Sequence, residues 1–349
     1  MPTPLEPPPT DPTPIFEQFR GSYATELLTA AVVEFDLFNR LARAPRTFDD
    51  LRGDLDLAQR PAVVLITAMR AMKLLDVDDS GRLTLSPLAQ HHLVSDSPWD
   101  MSGYVGLAAQ SAGVREMIVR LRTNRPAGEE RPDEGTAFIF RAGVESAMER
   151  EASARHLTLS LAGRAKNVAP ILAERYPLNG ASRLLDIGGG SGVYSIAWLQ
   201  RHPNLRAVVW DRPEVLKVAQ EMAETYGVAD RLECIAGDMF ADRLPTGCDV
   251  HLLSNILHDW DVDDCKTLIR RSADALETGE RLLIHDVLLN DELDGPLPIA
   301  LYSAALFTIT EGRAYSAMEF RSWLAEAGLL DEEITPTLVH CAVIAGRKR

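Results

Sequence analysis

The chain has few cysteines. Cys234, Cys248, Cys265 and Cys341 are the four among 349 residues, and no two stand in the C-x-x-C spacing of a zinc site or redox pair. A metal-thiolate centre and a disulfide framework are therefore not expected, and the site should need no metal. Basic residues are also in short supply: 36 lysines and arginines face 51 aspartates and glutamates, a net charge of −15. Phosphate backbones and anionic headgroups need a basic face, so nucleic acid and an anionic membrane surface are set aside as partners. No apolar run reaches the length of a membrane span, and no charged-then-apolar leader opens the chain. Reduced thiols and the lack of a leader make the cytoplasm the expected location.

The apolar share is just under half, that of a globular protein long enough for two or three domains. Its organising stretch is residues 183–192, Arg-Leu-Leu-Asp-Ile-Gly-Gly-Gly-Ser-Gly, a short apolar strand that runs straight into glycines and then into a helical pattern. A turn of this kind cradles a nucleotide, because backbone that bends sharply against a ligand has no room for Cβ atoms. The next strand, residues 207–211, ends in Asp211, placed to take two ribose hydroxyls. Gly188, Gly190 and Gly192 make G-x-G-x-G, whereas dinucleotide binders use G-x-G-x-x-G with a third glycine where this chain has Val193. Asp186 adds a carboxylate that repels a pyrophosphate and attracts an amine. A ligand with a ribose and a cationic amino-acid tail fits, and S-adenosylmethionine has both.

Further on, residues 232–238 form a third strand leading to Gly-Asp-Met-Phe (237–240), and residues 249–255 a fourth leading to Leu-His-Asp-Trp (257–260). Together with Leu-Asp-Ile-Gly-Gly-Gly-Ser-Gly (185–192), these motifs resemble, along nearly the whole chain, the family of S-adenosylmethionine-dependent O-methyltransferases. That family includes the plant phenolic and the bacterial polyketide-tailoring enzymes. The resemblance implies an α/β fold. It would have a seven-stranded Rossmann-like methyltransferase sheet closed by an antiparallel hairpin, after an N-terminal, mainly helical winged-helix domain used for homodimerisation.

The pattern along the chain agrees. Residues 1–14 are proline-rich and read as a disordered tail. Residues 15–100 carry helical stripes, with Thr47 as a cap and a small hairpin turning at 79–81, the winged-helix shape. Residues 101–166 read as a mainly helical linker contributing to the substrate cavity, with a mobile loop at 128–135. Residues 167–349 alternate strand and helix and form the methyltransferase domain, with strands continuing at 281–289, 331–338 and 339–347. No helix separates the last two, so they must pair antiparallel.

Methyl transfer from a sulfonium starts with a very good leaving group, so the protein must mainly position the reactants and remove a proton from the acceptor. Histidine suits that task near neutrality. Read from the residues, His258 is either that base or a helix-start histidine packed by Trp260 with Asp259 or Asp261 as the cap. The family's catalytic histidine falls on His258. Its rival His285 lies inside a strand pattern and reads as structural. The family holds its histidine with two acids. Asp286 stands at one of these places, but the other falls on Ala314, with Glu311 nearby and displaced. That departure leaves room for carbon methylation or for a hydroxylase that keeps the cofactor without transferring the methyl.

The resemblance assigns cofactor contacts to Asp186, Gly188, Gly190 and Asp211, and to Asp238 and Met239 around the adenine. Ser254 stands where plant members have lysine and bacterial members serine. Arg155 is placed as a partner for the ligand carboxylate, with a salt-bridged surface arginine as the other reading. The acceptor expected is a small aromatic or polyketide-like molecule. A reading of another class, a ligand-sensing winged-helix protein without catalysis, would need basic residues along 61–74. That stretch offers only Arg70 and Lys73 beyond Arg60. A dehydrogenase is opposed by the glycine spacing and the terminal hairpin.

Overall fold

The computed structural model describes residues 3–125 and 151–349, and the chain divides into two compact units. A sheet unit comprises Met1–Phe16, Phe138–Leu288 and Tyr315–Arg349; a helical unit comprises Glu17–Ala137 and Leu289–Ala314.

The helical unit begins with short helices, Ala24–Val33, Leu37–Arg43 and Phe48–Asp54, followed by Gln59–Ala71. Thr47 caps the third, its side chain accepting from the Asp50 N–H. Strands β1 (Leu75–Val77) and β2 (Leu83–Leu85) then form the expected antiparallel hairpin. Its core gathers Leu27, Phe35, Phe38, Leu65 and Met69, joined by Leu301, Ala304 and Phe307 from the helix Leu297–Ile309. This helix overturns the expected domain bounds, which kept residues 289–314 with the sheet. Leu297–Ile309 is apolar almost all round, so it is buried on several faces and the helical unit supplies that burial. Arg60, itself buried, stacks on the Phe307 ring at 4.7 Å and donates to the Thr310 and Gly312 carbonyls at 2.9 and 3.2 Å.

The sheet unit contains β3 (Arg183–Ile187), β4 (Arg206–Asp211), β5 (Leu232–Ala236), β6 (Val250–Ser254), β7 (Arg281–Leu289), β8 (Tyr315–Ser316), β9 (Leu329–Asp331), β10 (Thr335–Pro336) and β11 (Cys341–Lys348). Among the described residues, these nine strands exceed the seven expected. The main row runs β10-β11-β7-β6-β3-β4-β5, with β8 beside β7 and β9 beside β11. One extra strand is the short β8, and the other arises because the stretch read as one strand at 331–338 is broken into β9 and β10, both antiparallel to β11. Between β5 and β7 every pairing is parallel.

A parallel strand buried on both faces must be apolar at every position, with alternate residues serving opposite layers. Leu184, Val209, Leu252, Leu283 and Val343 pack with the helices Glu151–Arg175 and Val193–Arg201. Their neighbours Leu185, Val208, Leu253, Ile284 and Ile344 pack with Val262–Ala275 and Ala317–Glu326 on the other face. The first of those helices starts inside the expected 101–166 linker and belongs with the sheet. β3 lies between β4 and β6, so the crevice at the carboxyl ends of β3 and β6 is the switch point where α/β sheets bind ligands.

The chain's start also departs from expectation. Instead of a disordered tail, Leu5 packs against the sheet core, its N–H donating to Gln200 Oε1 at 2.8 Å while Gln200 Nε2 donates to the Thr3 carbonyl at 3.0 Å. The loop expected at 128–135 lies outside the described residues.

Truncating Phe307, fully buried beneath Arg60, should test whether residues 289–314 are integral to the helical core. Phe307→Ala should cost about 3–5 kcal/mol in denaturant unfolding. A loss under about 1 kcal/mol would show that the helix is peripheral.

Candidate functional site

The glycine turn joins β3 to the helix Val193–Arg201 with three residues of positive φ: Gly188 at 67°, Gly190 at 60° and Gly192 at 70°. Space matters as much as conformation here. A Cβ on Gly188 would stand 2.6 Å from Ile256 Cδ1 and 3.2 Å from Met239 Cε, and one on Gly189 would stand 2.6 Å from Asp186 Cγ. The turn thus lies directly over Asp186 and beside Met239. Gly190 donates its N–H to Asp211 Oδ2 at 2.8 Å, so the carboxylate ending β4 is already bound to the turn. Asp238, just past β5, is spent locally, accepting from the Phe240 and Ala241 N–H groups at 2.7 and 3.1 Å.

Asp186 is buried, and its Oδ2 accepts from the Ser195 hydroxyl at 2.7 Å, while Oδ1 has no hydrogen-bond partner. Burial pushes the carboxyl up to about 7, the Ser195 bond holding it down in part and Asp211 raising it further. An orphaned, desolvated carboxylate oxygen beneath a cradle with no room for Cβ atoms suits a ligand that brings a cationic amine. Arg155 forms a two-pronged ion pair with Glu221, both bonds 2.8 Å and both side chains about half exposed, which accords with the salt-bridged surface reading of this arginine.

At the carboxyl end of β6 the chain turns through Asn255, φ 55°, into a 3-10 turn, Leu257–Asp259. This turn lays His258 against β7. His258 Nδ1 lies 2.5 Å from Asp286 Oδ1, and Asp286 is fully buried. The same oxygen accepts the Val287 N–H at 2.8 Å, while Asp286 Oδ2 has no partner. Burial by itself depresses the imidazolium, but Asp286 and Asp259 outweigh it, and the His258 pKa is raised above 6.5. Asp259 Oδ1 is 3.6 Å from His258 Nε2, and burial pushes this acid up to about 6. Asp259 is thus a neighbour of the imidazole, and Asp261 is the helix cap, accepting from the Val262 N–H. The bond to Asp286 is satisfied with the proton on Nδ1, which leaves the ring lone pair on Nε2.

His285 is structural. Its Nδ1 meets Ser254 Oγ at 2.9 Å and its Nε2 meets Thr337 Oγ1 at 3.0 Å, and burial pushes it down to about 3. Ser254 is thereby tied to β7. Glu311 lies in the helical unit, on the segment whose Thr310 and Gly312 carbonyls Arg60 holds, and Ala314 is fully buried there. Sequence reasoning passed over Asp259 as a partner of His258, and it missed Asn255 and Arg164. An acid beside a candidate histidine was a usable signal for the first. A single arginine within a 25-residue helix offered none.

Among known proteins, residues 135–330 match the O-methyltransferase domain. The chain is 34% identical to a 3-hydroxy-5-methyl-1-naphthoate 3-O-methyltransferase of Streptomyces sahachiroi, covering 91% of this chain and 89% of that protein. It is 29% identical to an L-tyrosine C(3)-methyltransferase of Streptomyces lavendulae, covering 89% and 85%. The crystal structure of an O-methyltransferase family 2 protein from Planctomyces limnophilus, in complex with apigenin, has 48% identity and a TM-score of 0.89 over 99% of this chain and 98% of that one.

The unpartnered Asp186 oxygen yields a pH prediction. Unfolded, the carboxyl titrates near about 4; folded, it does so at about 7. Between these values the folded state holds a proton the unfolded chain has lost, so stability falls as pH rises through that window. Without ligand, Asp186→Asn should gain on the wild type from pH 5 to pH 8, read as a growing difference in Tm. A difference independent of pH would mean that this carboxylate is not desolvated.

Proposed function

We propose, on the premise that the chain belongs to the O-methyltransferase family, that it methylates a hydroxyl of a small aromatic or polyketide-like acceptor, with S-adenosylmethionine as donor and His258 as general base. The observation that carries this reading is the 2.5 Å bond between His258 and Asp286 at the carboxyl end of β6. When bound, S-adenosylmethionine supplies a methyl group on a sulfonium, a carbon already activated for displacement. The residues suited to hold it are Asp186 for the amine, Gly188 and Gly190 for close backbone approach, Asp211 for the ribose, and Asp238 with Met239 for the adenine. Ser254, at the end of β6, lines the same crevice in this reading.

His258 Nε2 takes the acceptor's hydroxyl proton as the oxygen attacks. Asp286 keeps the proton on Nδ1, aims the ring and stabilises the imidazolium that forms. Asp259, close to Nε2, adds to that stabilisation. The second supporting acid that the family resemblance placed at position 314 is absent, and Glu311 is the acid nearest to it in sequence. A second reading, carbon methylation, is favoured by this departure and by the similarity to the tyrosine C(3)-methyltransferase. A hydroxylase that retains the cofactor stands on the same departure. An aromatic carbon made nucleophilic by an ionised ortho hydroxyl would use the same base.

We also read the helical unit with its hairpin as a winged-helix-type dimerisation module. Phe19, Trp99, Tyr104, Leu107 and Val119 support this, being large apolar side chains exposed on that unit. The four cysteines, no two of them in C-x-x-C spacing, support a reducing, cytoplasmic setting. Among the described residues, no helix is long and apolar enough to cross a membrane.

Incubation with labelled S-adenosylmethionine and a panel of phenols, polyketides and aromatic amino acids should label an acceptor oxygen. His258→Ala should lower turnover about 10²- to 10⁴-fold while leaving cofactor affinity nearly unchanged in calorimetry. Because the His258 pKa is raised, the neutral base is lost as pH falls, and the acid limb of kcat/KM should lie above pH 6.5. Full turnover in His258→Ala would remove the base assignment, and label on carbon would select the second reading. Light scattering at micromolar concentration should give twice the chain mass; a monomer would remove the dimerisation reading.

A further inference from the structure

One connected group of polar side chains in the sheet unit runs from Arg164 to Thr337 and passes through Ser254 of the proposed crevice. Arg164, on the helix Glu151–Arg175, donates from Nη1 to Asn255 Oδ1 at 2.6 Å and from Nη2 to Cys341 Sγ at 3.1 Å. Asn255 Nδ2 donates to the Tyr194 hydroxyl at 3.2 Å and to Ser254 Oγ at 3.1 Å. Ser254 meets His285, His285 meets Thr337, and the Thr337 hydroxyl donates to the Cys341 carbonyl at 3.0 Å.

These bonds set the direction of each proton. The single Thr337 proton goes to Cys341, so Thr337 accepts from His285 Nε2–H. A neutral His285 then accepts at Nδ1 from the Ser254 hydroxyl, and Ser254 accepts from Asn255. The Asn255 amide consequently has one orientation, with its nitrogen in the network and its oxygen on the guanidinium. Its backbone N–H is held as well, by the His285 carbonyl at 2.8 Å. Asn255 has the left-handed φ of 55° and precedes His258 by three residues. The clamp on this amide is therefore a clamp on the turn that aims the imidazole.

We propose that Arg164 is a positioning residue for the reaction: by gripping the Asn255 amide it fixes the left-handed turn that delivers His258, and it stations a permanent cation on that turn. Arginine suits the role because it cannot be deprotonated and can fork to two acceptors. The proposal rests on the general-base reading of His258. Among the described residues, Asp286 from β7, Asp259 from its own turn and Arg164 from the helix Glu151–Arg175 act on the imidazole. The two carboxylates favour the imidazolium, which cannot accept a proton, and the guanidinium opposes them. Arg164 thus restrains a base that two acids would otherwise hold in its charged form.

The test reads His258 directly, by NMR titration of the imidazole in the full chain, beside the pH profile of kcat/KM. Arg164→Met should raise the His258 midpoint, move the acid limb up with it, and lower kcat about tenfold. Arg164→Lys should return the midpoint to its wild-type position with only partial recovery of kcat, because an ammonium lacks the fork. A midpoint that stays put in Arg164→Met would overturn the electrostatic role. Asn255→Gly tests the clamp even where Arg164→Met does not fold, since glycine takes the left-handed turn without strain. It should lower kcat about tenfold and leave the midpoint in place; undiminished kcat would overturn the positioning role. Failure of the base reading is separable, because full turnover in His258→Ala would leave the midpoint displacement in Arg164→Met intact.

Discussion

The site depends on one hydrogen bond, between an imidazole on a short turn and a carboxylate inside the sheet. Asp286 lies on β7, which is paired on one side with parallel β6 and on the other with antiparallel β11, and its side chain is fully buried. Burying a carboxylate costs several kcal/mol unless a partner offsets it. His258 is that partner, and the same bond fixes its tautomer and ring plane. A buried pair of this kind adds little net stability, since a well-packed apolar pair could replace it. Its contribution is orientation, and orientation is what a proton transfer in a closed crevice demands.

The same physics recurs at the glycine turn with a different partner. Asp186 is as buried as Asp286 and, like it, has one oxygen that meets no donor, but its other oxygen meets the Ser195 hydroxyl where Asp286 meets an imidazole. The two halves of the crevice touch through Ile256. Its Cδ1 occupies the space a Cβ on Gly188 would need, and it stands two residues before His258. Residue size at the turn and the seating of His258 are therefore linked: a side chain at Gly188 would push on the segment that carries the imidazole. In the proposed function, the missing Cβ atoms would serve the cofactor on one side and the turn that carries His258 on the other.

Charge is distributed with matching economy. Two acids bias the imidazole towards its charged form, and one arginine from a different layer of the fold opposes them. The buried His285 is kept neutral by the same desolvation that threatens Asp186, which lets it act as a fixed link between Ser254 and Thr337. Two histidines on adjacent segments thus take opposite roles, because one faces carboxylates and the other hydroxyls.

Features carried by neighbouring residues were legible in the chain. The strands β3 to β7 announced themselves as apolar runs, the glycine turn by its spacing, Asp211 by its place after the next strand, and His258 by the four-residue motif around it. Each depends on backbone preference or on residues within one turn of each other, which sequence order preserves. The features that only the folded chain decided are pairings across long separations. Arg164 reaches Asn255 and Cys341; Arg155 is taken up by Glu221; Leu5 docks beside Gln200; Leu297–Ile309 joins the helical core. The break of the penultimate strand into β9 and β10 belongs with them. Such contacts follow from which layer covers which face of the sheet and from the register of strands far apart in the chain. Local propensity carries no record of either, because the free energy that selects them is gained only when distant surfaces are buried together.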